Sequence, residues 1–338
     1  MRAALLNDGS LVTSDVPSPL CLPNQILVAP KYVGLCGSDV SYARKGRNGS
    51  FVVEHPFVLG HEIAAVTTTP VVVDGRTVAE GTPVAVHPLW PCPPPGAARP
   101  RPDDAAEPTR FLGSASTHPH TDGGLADLVA VRPEQLRLLP PGLDLRTATL
   151  AEPLAVVLHA LGRLPLSLEG LDVLVCGAGP IGLLTVACCR ARGAGRIVVT
   201  DLHDRPARLA AELGADEVRI VGRDEAVRDA VDVAIEASGA PASLHAAMHA
   251  LRPEGVLLQL GMLPPELALS PSPLITKELT VVGSHRFAGE LDDALAFLAG
   301  HPECARIITH EVPLAEADHA VDLAADPAAS KVVVRVAP

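Results

Sequence analysis

The segment Cys176-Gly177-Ala178-Gly179-Pro180-Ile181-Gly182 constrains this chain more than any other. An apolar run from Asp172 to Cys176 leads into it, and an apolar stretch of helical length follows. In that setting the first glycine permits a tight turn, and the second lets the backbone approach a pyrophosphate. The third lets helix and strand pack closely, and the helix N-terminus favours phosphate charge. Gly177, Gly179, Pro180, Ile181 and Gly182 are therefore candidate dinucleotide-binding residues. Asp201 closes the next apolar run, 19 residues beyond Gly182. An acid there accepts hydrogen bonds from the adenosine ribose hydroxyls and repels a 2′-phosphate, which favours NAD. Arg205 lies close enough to admit NADP, unless it pairs with Asp201 or Asp204.

The chain changes character near residue 150. After it, strands are predicted at Asp172 to Cys176, Ile197 to Asp201, Glu217 to Val221, Asp232 to Glu236, Val256 to Leu260 and Leu279 to Gly283. Helical runs separate the first four, with Gly193 and Gly214 where helix C-caps belong. Such alternation builds a doubly wound α/β parallel sheet with helices on both faces. Before residue 150 short β-rich runs alternate with turns. Val71 to Val78 reads as a hairpin turned by Asp74-Gly75. Val84 to Val86 and Leu128 to Val131 are further strand candidates, and Pro91 to Pro108 reads as an irregular loop. The last fifty residues return to mixed helix and strand, ending on Lys331 to Val336.

Composition excludes several classes. A formal net charge of -12 argues against a nucleic-acid surface and against a polybasic membrane contact. At 338 residues and 48% hydrophobic, the chain has enough apolar surface for two cored domains. Seven scattered cysteines form no regular framework and fit reduced thiols, hence a cytoplasmic location. The first nine residues break too early for a signal peptide. Val173 to Cys189 imitates a membrane span, but its glycines and proline read as strand, turn and buried helix.

Cys36, His61, Glu62 and Glu152 offer a thiolate, an imidazole and carboxylates, the ligand types of an open zinc site. Singly each has a bland reading as a buried thiol, a structural imidazole or a solvated carboxylate. Their settings lift them together: Cys36-Gly37-Ser38-Asp39-Val40, Leu59-Gly60-His61-Glu62, Ala151-Glu152-Pro153-Leu154-Ala155-Val156 and Gly283-Ser284-His285-Arg286-Phe287. With the glycine turn, these segments resemble the zinc-dependent medium-chain dehydrogenases, specifically the polyol branch of sorbitol and L-idonate dehydrogenases.

The resemblance implies a doubly wound (Rossmann) cofactor domain at 150–287 and a strand-rich, barrel-like (GroES-like) catalytic domain at 1–149 and 288–338. It also implies that Cys36 and His61 bind Zn2+ directly. Glu62 and Glu152 complete the coordination, one through water, and Asp39 orients His61. The metal acidifies a secondary alcohol, hydride leaves its carbon for NAD, and Ser38 carries the proton. Relatives place a histidine three residues beyond that serine, but this chain has Ser41, leaving water, Tyr42 or His55 for the outer relay. Where relatives carry four cysteines for a structural zinc, this chain has Cys92, Pro95, Ala98 and Ala106. One catalytic zinc per subunit and no structural zinc is therefore expected.

The loop from Arg110 to Gly124 looks most like L-idonate dehydrogenases. A sugar-acid carboxylate needs a cation, for which Arg286 leads over Arg110, Lys45 and Arg47. His118 and His120 are candidates for substrate hydroxyls. The expected activity is oxidation of L-idonate at carbon 5, with a cyclitol or another polyol as the alternative. A zinc-free reductase and a silent nucleotide-binding protein stand further off. Leu279 to Ser284 is an apolar strand at the expected sheet edge, and since this edge pairs across a dimer in relatives, the resemblance implies a homodimer or homotetramer.

Overall fold

The computed structural model describes residues 1–91 and 109–337. Two units are compact in their own packing: Met1–Glu152 with Ala288–Pro338, and Pro153–Phe287.

The second unit holds one parallel sheet of six strands. They are β1 (Asp172–Cys176), β2 (Arg196–Asp201), β3 (Glu217–Ile220), β4 (Val231–Glu236), β5 (Leu251–Gln259) and β6 (Thr280–Gly283). Their spatial order is β3-β2-β1-β4-β5-β6, which reverses direction between β1 and β4. Helix α1 (Pro180–Ala191) crosses from β1 to β2, and α2 (Pro241–Ala250) from β4 to β5. Val173, Leu174, Val175, Ile197, Val198, Val199, Val233, Ala234 and Ile235 are all buried. Strands covered on both faces read as unbroken apolar runs, which is why the sequence located them. β5 departs from expectation by starting at Leu251 instead of Val256, with a register shift against β4. That bulged start includes Pro253 and a left-handed Glu254, so its apolar signal begins late. Val173 to Cys189 is strand, turn and helix, and among the described residues no helix is long and apolar enough to cross a membrane.

The first unit is strand-rich. Its seven-stranded sheet runs Leu136–Leu138, Pro83–Val86, Glu62–Thr67, Ile26–Gly34, Lys331–Arg335 and Ile308–Pro313, with Val129–Val131 also pairing Ile26–Gly34. A smaller sheet joins Arg2–Asn7, Ser10–Asp15 and Phe57–Val58. Between them lies a core including Val28, Val33, Leu59, Ile63, Leu125, Val332 and Val334. The hairpin Val71–Val73 and Arg76–Val78 turns at Asp74 and Gly75, with φ of 49° and 74°. Cys92, Pro95, Ala98 and Ala106, with nearly all of the loop they belong to, lie outside the described residues.

Candidate functional site

Cys36 ends the loop after Ile26–Gly34 and caps the helix Gly37–Lys45. Asp39, in the first turn of that helix, is fully buried and folds back so that its carboxylate accepts Cys36 N–H at 2.9 Å. Its other oxygen accepts Gly60 N–H at 3.2 Å. One carboxylate thus fastens the backbone that carries Cys36 to the backbone that carries His61. Cys36, His61 and Glu62 present ligand atoms within 4.8 Å of one another. The imidazole Nδ1 is buried without a hydrogen-bond partner, 3.8 Å from Asp39 Oδ1. That distance is a charge contact, longer than a hydrogen bond.

Glu62 opens the strand Glu62–Thr67 in register with Gly34 on the neighbouring strand. A Cβ at Gly34 would meet Glu62 Oε2 at 1.9 Å, so the carboxylate fills the space a side chain would take. Both its oxygens accept from Lys331 Nζ, at 2.6 and 2.8 Å, and the same ammonium donates to Leu35 O at 3.0 Å. Lys331 is 269 residues from Glu62 and only 2% exposed. Sequence reading saw it as the start of a terminal strand. The available signal was a lysine leading the apolar run Val332-Val333-Val334, where a charge becomes buried and so requires a partner. Glu152, also buried, stands in the first turn of the helix Ala151–Gly162.

Electrostatically this is a trap for a cation. Burial lowers an imidazole, but Asp39, followed by Cys36 and Glu152, outweighs it and raises His61 to about 10. Burial likewise lowers Lys331, and Glu62 with Cys36 reverses the direction and raises it. Asp39 is raised, because its burial exceeds the help from His61. A thiol, an imidazole and a carboxylate crowded in such a field fit zinc, whose uptake displaces the imidazole proton.

Other expected site residues are placed differently. Ser41 donates to Arg47 O at 2.8 Å, on the exterior of the helix. Tyr42 is buried, with its hydroxyl 3.2 Å from Ser114 Oγ and accepting Ala115 N–H at 3.2 Å. His55 stacks on His120 with centroids 3.9 Å apart, and its Nε2 accepts His120 N–H. The ring of His120 is hydrogen-bonded at both nitrogens, to Glu54 N–H and Thr117 O, as a loop-bracing residue would be. His118 is exposed and faces Glu54 at 3.3 Å. Lys45, Arg47 and Arg110 are exposed, and Ser38 is half-buried. Arg286 is half-buried in the second unit, at a left-handed φ of 57°.

In the second unit the glycine turn joins β1 to α1. A Cβ at Gly182 would meet Gly177 O at 1.9 Å, so only glycine allows that helix–strand approach. Gly179 has nothing within 4 Å of where a Cβ would be and caps a helix that lacks a side-chain cap. That leaves open backbone at a helix N-terminus, which fits a pyrophosphate. Asp201 accepts Ala178 N–H at 2.7 Å and His203 N–H at 2.8 Å. Asp204 pairs with Arg223 at 2.7 Å, and Arg205 is exposed.

Residues 22–141 match the model of the alcohol dehydrogenase GroES-like domain, and residues 180–300 match that of zinc-binding dehydrogenases. An L-idonate 5-dehydrogenase (NAD(P)(+)) of Escherichia coli K12 is 33% identical, over 90% of this chain and 89% of its own length. A sorbitol dehydrogenase of Bacillus subtilis is 32% identical, over 96% of this chain and 93% of its own. The crystal structure of an E. coli L-idonate 5-dehydrogenase superposes with a TM-score of 0.88 at 29% identity, covering 99% of this chain and 98% of that one.

Proposed function

The chain belongs to the zinc-dependent medium-chain dehydrogenases of the polyol branch, and we propose that it oxidises L-idonate at carbon 5 to 5-keto-D-gluconate. It is an oxidoreductase of alcohols that uses zinc and NAD(P). The observation that carries the reading is the cluster of Cys36, His61 and Glu62, whose ligand atoms lie within 4.8 Å of one another. The likeness to the E. coli enzyme supports the choice of substrate.

When bound, zinc supplies Lewis acidity toward an alcohol oxygen and the nicotinamide accepts a hydride. Cys36, His61 and Glu152 would hold the metal directly. Glu62 gives both oxygens to Lys331, which supports an outer place for it, through water. Asp39 keeps the loops bearing Cys36 and His61 in register through Cys36 N–H and Gly60 N–H. Ser38 would take the alcohol proton and pass it to water, a choice supported by the hydrogen bonds that engage Tyr42 and His55 elsewhere. Arg286 supplies a cation for the sugar-acid carboxylate. Asp201 favours NAD over NADP by its negative charge at the end of β2. One zinc per chain follows from the lost cysteines, and pairing through β6, where Val281 is 51% exposed, supports a dimer.

The test is a steady-state panel of L-idonate, sorbitol and cyclitols with each cofactor, before and after chelation. Expected are highest kcat/KM on L-idonate with NAD, loss on chelation, recovery with zinc, and one zinc per chain by metal analysis. Activity indifferent to chelation overturns the zinc reading. The sorbitol dehydrogenase match across nearly the whole chain favours a neutral polyol as the second reading, and a preference for sorbitol would establish it.

A further inference from the structure

His55, His118 and His120 form one group of close imidazoles, and His245 and His249 form another. In the first group the rings are committed to the protein. His55 Nε2 accepts His120 N–H, and both nitrogens of His120 are hydrogen-bonded. In the second, on α2, the ring centroids stand 4.5 Å apart with the planes tilted by 59°. Among the described residues neither of these two rings has a hydrogen-bond partner.

The sequence of α2 puts the pair side by side. Leu244, Ala247, Met248 and Ala250 are buried and turn that side of the helix to the core. His245 and His249, four residues and about one turn apart, are left as neighbours on the outer flank. His245 is exposed and His249 half-buried. Ala242 and Ala246, also exposed, are too short to reach over the rings.

The charges beside His249 are largely matched. Lys277 Nζ donates to Met248 O, His249 O and Leu251 O at 3.3, 3.0 and 2.7 Å, which closes the end of the helix. The same ammonium pairs with Asp229 at 2.6 Å, and Asp229 gives its N–H to His249 O at 3.1 Å. Arg228 adds a positive charge within electrostatic range of His249, which weakens the hold on a cation without removing a ligand.

Two free imidazoles at i and i+4 are the paired donors from which helical zinc sites are built. Zn–N bonds of about 2.0–2.1 Å set two such nitrogens about 3.3 Å apart, a spacing that small side-chain rotations reach from the observed contact. Imidazole suits zinc, nickel and copper, whereas magnesium and calcium demand oxygen.

We propose that His245 and His249 form a second metal site, a surface chelate on the cofactor unit that takes one Zn2+, Ni2+ or Cu2+ ion, with water completing the coordination. With only two protein ligands the ion exchanges freely and is lost on desalting, so the count of tightly held zinc is unchanged. The site takes no part in alcohol oxidation. Occupied, it clamps the last turn of α2.

Calorimetric titration of the zinc-loaded, desalted full chain with nickel chloride tests this. Expected are one Ni2+ bound per chain with the catalytic zinc retained, and a Tm that rises with Ni2+ concentration. His245→Gln and His249→Gln each remove one arm of the chelate. Each should weaken Ni2+ by about ten-fold or more, with kcat and zinc content as in the wild type. His245→Gln changes an exposed residue and so tests the pair independently of any instability in His249→Gln. The proposal is overturned if the wild-type chain takes up no Ni2+, or takes it up only in exchange for zinc. Uptake that neither substitution weakens overturns it as well. Because the readout does not depend on turnover, failure of the alcohol-oxidation reading would leave this result intact.

Discussion

The two units solve the same problem, holding a small charged group in place, by opposite means. The metal cluster is made of side chains: a thiol, an imidazole and a carboxylate, with Lys331 balancing Glu62. The dinucleotide turn is made of backbone: Gly179 leaves it open, and Gly182 lets helix and strand close on each other. Charge buried in the first unit must be matched by charge, and removing one member leaves another stranded. The second unit buries the Glu236 carboxylate on N–H donors of Ser238, Gly239 and Gln259, and its glycine turn depends on clearance.

That contrast can be broken. The largest effect should follow Cys36→Ala or His61→Ala: loss of bound zinc and a fall in kcat/KM on the order of 10³-fold or more, with NADH affinity unchanged. Metal analysis beside calorimetry checks it, and loss of NADH binding would show that the units are not independent. Next is Lys331→Met, which strands a buried Glu62 carboxylate and should cost about 3–5 kcal/mol of stability by denaturant titration. Lys331→Met with Glu62→Leu should regain most of that, and no recovery would mean that the pair is not the cause.

A third effect is set by pH. His87 is buried in the first unit, with Nε2 2.8 Å from Ala288 O and Nδ1 accepting Leu89 N–H. Burial lowers its pKa from 6.5 to about 4. Its neutral form is the native one, so its contribution is complete above pH 6.5 and is lost as pH falls toward 4. The loss is about 3 kcal/mol, and urea midpoints of His87→Gln should lack that part of the pH dependence. The smallest effect belongs to the cofactor unit. Asp201→Asn should weaken NAD by about ten-fold and narrow its advantage over NADP, as initial rates with each will report.

The cofactor unit was the more legible in sequence, because doubly covered strands and obligatory glycines leave a local signature. Even there the bulged start of β5 was invisible, since Arg252, Pro253 and Glu254 interrupt the apolar pattern. At the metal cluster the motif segments named Cys36, His61, Glu62 and Glu152, and the first three stand within 4.8 Å of one another. Their support was not legible. Lys331 reaches Glu62 only through strand pairing across the sheet, and Gly34 matters only because the register sets it opposite Glu62. His120 was open in sequence for a related reason: only the folded loop shows its backbone engaging both ring nitrogens.

The ion pair of Glu62 with Lys331 also has a consequence in time. Ribosomes add roughly 5–20 residues per second, so the 269 residues between them separate the two by roughly 15–50 s of translation. Throughout that interval Cys36, His61 and Glu62 exist without their counter-charge. The ion pair that neutralises Glu62 therefore closes only once the strand Lys331–Arg335 has been made.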